Sequence, residues 1–326
     1  MKKTTLLLLL FCYSVLTYAQ HTFSIVAVDP VTGEIGSAGA TCIAAEDGAI
    51  VISDIVLGTG VIHTQSFYST ANQMNARMRM EAGDSPQQIM DWLEANDVSG
   101  NPTQRQYIAV DLNSGSPRSA GFTGVNCFEE FIHVTGPNYA IAGNILLTND
   151  VVLDMETAFV NTTGTLAEKL MASLQAAKRP GADSRCLADG ISSASAFIRV
   201  ADPSDTDSSL GNLSLDLNVW ITSTIFEPID ELQNLFDQSL SVTDLSTING
   251  VSVRPNPTTG TIRVKAVSGG NQAILYTITG QRVGTYELPN NETAIDLANL
   301  ESGVYFMTVI DGNKVIATEK IILDRS

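Results

Sequence analysis

The chain has 326 residues, enough for one medium and one small domain with separate cores, and its formal net charge at pH 7 is −17. The acid is concentrated: residues 1–20 carry two Lys and no carboxylate, residues 251–326 carry seven basic and seven acidic residues, and the stretch between holds 9 basic against 28 acidic. Such a region repels phosphate backbones, which argues against nucleic acid as a partner, and it keeps an exported protein soluble.

Lys2 and Lys3 precede the apolar run LLLLLFCYSVL, and Thr17-Tyr18-Ala19 follows with small residues at alternate positions. This is the pattern of a secretory signal peptide over residues 1–19, cut after Ala19. No later stretch is long and apolar enough to span a bilayer. Residues 22–29, TFSIVAVD, alternate and are rich in β-branched side chains; with the turn DPVTGE and the run IGSAGATCIA they predict an opening β-hairpin. AIVISDIVLGTGVIHTQS predicts one or two further strands with a Gly-containing bend. Residues 70–96 read as helical, broken at Gly83 and restarted at Asp84-Ser85-Pro86 by a capping residue and a first-turn proline.

RQYIAVDLNSGSPRSAGFTG returns to hairpin grammar around NSGS, and YAIAGNILL predicts a short buried strand. NDVVLDMETAFVNTTGTLAEKLMASLQAAKR predicts two helices parted by NTTG. SSASAFIRV and LSLDLNVWITS predict strands, and EPIDELQNLFDQ an amphipathic helix. Strands joined by hairpins, with helices set between blocks of strands, predict an α+β domain with antiparallel sheets over residues 20–237. Residues 238–250 are small and polar, as in a linker. From Val251 the pattern is purely β, in the short runs VSVRPNP, GTIRVKAV, AILYTITG, TAIDL, GVYFMTVID and NKVIATEKIIL punctuated by Gly, Asn and Pro, which predicts a small all-β sandwich over 251–326.

Three cysteines follow the leader, Cys42, Cys127 and Cys186, so one internal pair can form and one thiol is left over. They are scattered, as are His21, His63 and His133, so no zinc-ligand spacing exists and neither a metal nor another cofactor is expected. In DPSDTDSSLGNLSLD, the side chains of Asp205, Asp207, Ser209 and Asp216 imitate a calcium loop, but Leu210 stands where the EF-hand turn needs Gly. No nucleophile elbow, Walker loop or dinucleotide fingerprint is present.

The motifs VRPNPTTGTIRV, YTITGQRV and IDLANLESGVYFMTVIDGNKVIATEKIIL, in that order, resemble the type A C-terminal sorting domain of type IX secretion. The resemblance implies export to the cell surface or beyond, with the type IX translocon and its sortase as partners and surface anchoring or release of the cargo. Residues 22 to about 237 resemble the family called domain of unknown function 1028, grouped with the N-terminal nucleophile (Ntn) hydrolases. The likeness lies in TFSIVAVDPVTGEIG, HTQS at 63–66, Arg105-Gln106, TGVNC, GPNYAIAGNILL, GADSR and EPIDEL. It implies a four-layer αββα sandwich. Cys127 matches a family cysteine whereas Cys42 and Cys186 are additions, which implies a Cys42–Cys186 disulfide and a reduced Cys127.

In an Ntn hydrolase the first residue of the mature chain attacks the scissile carbonyl, and its free α-amine, titrating near neutrality, takes the proton. The resemblance puts Thr22 in that role, with Asn144 serving a developing oxyanion. Gln65, Arg105, Asp183 and Arg185 become the expected contacts to a small-molecule or peptide ligand. Cleavage after Ala19 leaves Gln20 and His21 ahead of Thr22, so the free-amine mechanism needs further trimming. Two functions are therefore expected in competition: an amidohydrolase acting on extracellular peptide or cell-wall amides, and a non-catalytic surface module binding such ligands at the same site.

Overall fold

In the computed structural model, the described residues are 22–243 and 251–325, apart from Glu129, Pro257, residues 267–270, Thr279, Asn291 and Asn313. The expected leader, Gln20, His21 and residues 244–250 of the expected linker lie outside the described residues. The chain divides into two units near Gln233.

The first unit opens with β1 (Thr22–Val28) and β2 (Ile35–Thr41), every residue of which is buried. Their turn is set by Asp29, whose Oδ1 accepts from Val31 N, and by Gly33 at φ +81°. Next come β3 (Ser53–Val56) and β4 (Gly60–Ser66), then α1 (Thr70–Glu81) and α2 (Pro86–Ala95). Helix α2 restarts the chain with a Ser85–Gln88 capping box and Pro86 in its first turn. β5 (Arg105–Asp111), β6 (Arg118–Thr123), β7 (Ile132–Gly136) and β8 (Tyr139–Gly143) follow. α3 (Asp150–Asn161) and α4 (Leu166–Ala177) are separated at the NTTG segment, and α4 starts on a Thr165–Glu168 capping box. β9 (Ser195–Ala201) and β10 (Leu215–Trp220) follow, and α5 (Pro228–Thr243) runs across the boundary near Gln233.

Two sheets form, in the orders β10-β9-β2-β1-β8-β7 and β3-β4-β5-β6, and every pairing in them is antiparallel. Because successive strand residues point to opposite faces, each sheet offers two apolar surfaces. On one face of the four-stranded sheet Ile62, Tyr107 and Ala109 pack with Ala76, Met80, Ile89 and Leu93 of α1 and α2. On its other face Val61, Ile108 and Val110 meet Val26, Val28, Ala140 and Ala142 of the six-stranded sheet. α3 and α4 cover the far side of the six-stranded sheet. A Cβ on Gly36 of β2 would fall 2.4 Å from Leu170 Cδ1 of α4, so a side chain there would have to displace that leucine.

The antiparallel α+β expectation therefore holds, with local differences. β8 ends at Gly143 rather than running through Asn144-Ile145-Leu146-Leu147, because Ile145 turns into the left-handed region at φ +54°. β7 is an additional, half-buried edge strand. α5 continues to Thr243, into the segment expected as linker.

The second unit contains β11 (Val251–Arg254), β12 (Thr261–Ala266), β13 (Gln272–Thr277), β14 (Arg282–Glu287), β15 (Glu292–Asp296), β16 (Gly303–Asp311) and β17 (Lys314–Leu323). They form sheets β11-β12-β15 and β14-β13-β16-β17 around one core that includes Ile262, Val264, Leu275, Met307, Val309 and Ile321. β14 is the strand that the sequence pattern did not single out.

Candidate active site

Between the two sheets, one end is apolar and the other polar. Along β1 the inward positions run Thr22, Ser24, Val26, Val28; along β4 they run Gln65, His63, Val61; along β5 they run Gln106, Ile108, Val110. Period-2 alternation thus gathers a threonine, a serine, a histidine and two glutamines at the Thr22 end, all fully buried.

These groups bond in a directed chain. Ser24 Oγ donates to Gln65 Oε1 (2.6 Å), and Gln65 Nε2 donates to Gln106 Oε1 (2.7 Å) and to the Thr22 carbonyl (3.2 Å). Asn144 Nδ2 donates to the same Gln106 oxygen (3.0 Å), and Asn144 N donates to the Thr22 carbonyl (3.2 Å). Gln106 Nε2 lies within 3.1 Å of Thr123 Oγ1, Ile132 O and Gly143 O, so the Gln106 amide is a hub between the sheets. His63 bonds Ser24 Oγ through Nδ1 (2.9 Å) and Ser37 Oγ through Nε2 (2.5 Å), and the Ser37 hydroxyl donates to Ser53 Oγ (2.8 Å). Burial and the nearby Arg199 cation push the His63 imidazole down to about 3, so it is neutral at physiological pH. Arg199 is itself buried and paired with Asp216 at 3.1 Å.

Thr22 is fully buried and its Oγ1 has no hydrogen-bond partner among the described residues. A ring of segments surrounds it. On the β2 side Thr41 lies opposite Thr22 in the ladder and its hydroxyl accepts from Arg185 Nη2 (3.1 Å). Arg185 grips Asp183 through Nε (2.9 Å) and Nη2 (2.5 Å), while Asp183 Oδ2 also accepts from Cys42 N (2.8 Å). The Cys42–Cys186 disulfide clamps this loop to the end of β2; Cys127 is buried and free, as the resemblance implied. Ser184 N donates to Ile145 O (2.9 Å), and Ile145 N to Phe128 O (3.1 Å). Phe128 stacks on Phe67 (5.4 Å between centroids), which follows Gln65 and Ser66 and closes the ring.

Among the described residues four non-glycines have positive φ, and two of them lie in this ring: Ser66 (φ +68°), directly after Gln65, and Ile145, directly after Asn144. A β-branched residue in the left-handed region is strained by about 1–3 kcal/mol and persists only where its surroundings impose it. Here the bonds to Phe128 and Ser184 impose it.

Of the expected site residues, Thr22, Gln65 and Asn144 meet directly, and Asp183 and Arg185 stand beside them through Thr41. Arg105 does not join them. Its side chain lies on the opposite face of β5, where Nε bonds Asp97 Oδ2 (2.8 Å), Nη2 bonds Ser99 Oγ (2.6 Å) and Nη1 bonds the Phe67 carbonyl. Burial alone would raise the Asp97 carboxyl, but bonds from Arg105, Ser99, Asn101 and Asn72 outweigh it and hold the group well below the usual carboxylate range. Arg105 is thus a structural ion pair that supports the ring only through the Phe67 carbonyl. Gln106, one residue on, is the inward-facing group. Ser24 joins the site on the face that strand alternation gives it with Thr22, and His63, Thr41 and the two phenylalanines belong to it without having been singled out; inward alternation from Gln65 was the signal for His63.

Among the described residues no group of three or more His, Cys, Asp or Glu is arranged to hold a metal ion. The carboxylates of the calcium-like stretch cap their own loop: Asp205 accepts from Ser214 and Asp207 from Ser209 and Asn212. A cleft of about 650 Å³ lies at the far edge of the six-stranded sheet, lined by Glu46, Asp47, Asp216, Asn218 and Trp220, three strands away from β1.

Comparison with known proteins agrees with this division. The model of a family of unknown function, DUF1028, matches residues 22–223, and that of a secretion-system C-terminal sorting domain matches residues 252–324. The crystal structure of protein SPO2555 from Silicibacter pomeroyi, assigned to the DUF1028 family model, is similar with a TM-score of 0.54 and 27% identity, covering 68% of this chain and 89% of that one. No curated protein matches the chain. The sorting domain marks a protein exported by type IX secretion to the cell surface or the medium, and no helix among the described residues is long and apolar enough to cross a membrane. The chain belongs to the DUF1028 family and carries a secretion-system sorting domain at its C-terminal end.

Proposed function

We propose that the first unit is a four-layer αββα Ntn-type amidohydrolase that acts on extracellular peptide or cell-wall amides once Thr22 is the first residue of the mature chain. The observation that carries this is the Thr22 hydroxyl: fully buried, without a partner among the described residues, at the polar end of the inter-sheet layer and ringed by amides. A buried hydroxyl left unpaired costs about 1–3 kcal/mol, which is expected at a group reserved for a reacting partner.

In this reaction Thr22 Oγ1 adds to the amide carbonyl carbon while its proton passes to the Thr22 α-amine. The C–N bond then breaks, the ammonium returns the proton to the leaving nitrogen, and an acyl ester remains on Oγ1. Water, losing its proton to the α-amine, adds to the ester; the acid departs and Oγ1 regains a proton. Asn144, held by Gln106 beside Thr22, serves the oxyanion. Gln65 fixes the Thr22 carbonyl and so the direction of the first residue. Buried neutral His63 acts through Ser24 to set the Gln65 amide and is a positioning residue.

The competing function is a surface binding module using the same ring, favoured by Gln20 and His21 standing between the expected cut and Thr22. Intact mass of the secreted protein decides. A chain starting at Thr22 whose amide hydrolysis disappears in Thr22→Ala is the expected result. A chain starting at Gln20, cyclised to pyroglutamate, overturns the free-amine mechanism and leaves the binding module.

A further inference from the structure

The cleft at the β10 edge of the six-stranded sheet lies three strands from Thr22 and takes no part in the proposed hydrolysis. Alternate residues of β10, Asp216, Asn218 and Trp220, share one face, opposite Arg199, Phe197 and Ser195 of β9. Followed through β2 to β1, this is the face that carries Ser24 and Thr22. Phe197 is covered by Ala49, Ile50 and Ile52, and beyond it the same face opens as a cavity of about 650 Å³.

The carboxylates of the cleft are in two different states. Asp216 is committed: it accepts from Arg199 Nη2 (3.1 Å) and from Gly211 N (2.7 Å), and the buried guanidinium neutralises its charge. Glu46 and Asp47 are exposed, and among the described residues neither carboxylate has a hydrogen bond or an ion pair. Their loop is pinned to the cleft by Asn218, whose Nδ2 donates to the Glu46 carbonyl (2.6 Å). A carbonyl only accepts, so the amide nitrogen stays on that side and Asn218 Oδ1 is left without a donor among the described residues.

Among the described residues that line the cleft, none is Lys, Arg or His. It therefore offers negative charge and acceptors, together with the Trp220 indole and the apolar side chains of Ile50 and Leu210, the last of them 58% exposed. Indole is the ring that holds a cation best, and a cleft lined by one sign of charge concentrates the opposite ion. The carboxylates form no group arranged to hold a metal ion, and the apolar wall suits a hydrocarbon stem.

We infer that this cleft binds an alkylammonium or alkylguanidinium group, its charged head toward Glu46, Asp47 and Trp220 and its stem along Ile50 and Leu210. A Lys or Arg side chain of an extracellular peptide and a free alkyl polyamine share that chemistry.

The test is NMR of the isotope-labelled full secreted chain, read through the indole N–H resonances of its two tryptophans, Trp92 and Trp220, which a Trp92→Phe protein assigns. Butylguanidinium is expected to shift the Trp220 signal saturably and leave Trp92 in place. Neutral butylurea, of the same shape, is expected to bind at least about fivefold more weakly, the loss of one ion contact in a water-like dielectric. Glu46→Gln combined with Asp47→Asn is expected to bring the two probes to equal affinity, and added salt to weaken only the cation. The two probes compared on the unaltered protein need no variant, so misfolding of a variant does not blur the outcome. Agmatine binding more tightly than N-acetylarginine amide supports the site with a free polyamine as its source, and the reverse order supports it with a peptide side chain. Equal affinity for butylurea and butylguanidinium, or a Trp220 signal that no cation moves, overturns the inference.

Discussion

Replacing Gln106 by leucine is the most severe single change the site geometry offers short of altering Thr22. Leucine fills nearly the same space, so the effect isolates the amide. Its loss strips a partner from Gln65 Nε2 and Asn144 Nδ2 and from the acceptors Thr123 Oγ1, Ile132 O and Gly143 O. Two amide hydrogens can serve only two of those three acceptors at a time, so about four buried groups lose a bond. At about 1–3 kcal/mol per unsatisfied group, and allowing that such losses are not additive, Gln106→Leu destabilises the unit by about 4 kcal/mol, a large share of a typical 5–15 kcal/mol. Both tryptophans, Trp92 and Trp220, lie in this unit, so indole fluorescence in urea follows it without interference from the sorting domain. With a slope of about 2 kcal/mol per molar urea, the midpoint falls by about 2 M. Gln87→Leu, on the exposed face of α2 with a bond only to Asp91, is the control and shifts it by less than about 0.3 M. A Gln106→Leu midpoint within about 0.5 M of the parent refutes the hub.

His63 makes stability depend on pH. Its folded value lies near 3 against an ordinary 6.5, so the stabilisation from burying it neutral is complete above pH 6.5 and is lost as pH falls from 6.5 towards 3. Unfolding free energies from urea titrations at pH 7 and pH 5 should differ by about 2 kcal/mol from this group, and His63→Gln should remove that difference. Cys127, buried and with its thiol pushed up by that burial, is expected to be silent to a thiol reagent in the native mature protein. One thiol per chain should appear on unfolding and three after reduction; a second reactive thiol without reductant would contradict the Cys42–Cys186 pairing.

The legible part of the fold was the part governed by local chemistry. Ser85 with Gln88 and Pro86, or Thr165 with Glu168, announce helix starts wherever they occur, and alternation in TFSIVAVD put Thr22 and Ser24 on one face before any partner strand was known. Long-range register was not legible. Whether Arg105 or Gln106 faces Gln65 depends on pairing β4 with β5, and a slip of one residue exchanges the faces. β7 and β14 were missed because both are half-exposed edge strands, so their sequences lack the contrast between a buried and a solvated face. The end of β8 was misjudged because nothing about isoleucine announces a left-handed residue; tertiary bonds from Phe128 and Ser184 impose it. The cysteine pairing rested on resemblance alone until Cys42 and Cys186 were brought together from 144 residues apart.

That separation bears on durability outside the cell. The disulfide closes a covalent loop that contains Gln65, Phe67, Gln106, Phe128, Asn144 and Arg185, and leaves outside it Thr22, Ser24 and Thr41 of the site. The exposed turns at Asn113–Gly115 and at residues 163–165, where an extracellular protease would cut, fall inside that loop. A single cut there yields two pieces that remain bolted to each other, with the β5–β6 ladder or the capping of α4 the only local structure at risk. A nicked molecule, heavier by one water, would therefore keep both pieces and its ring of residues together until a reductant separates the fragments.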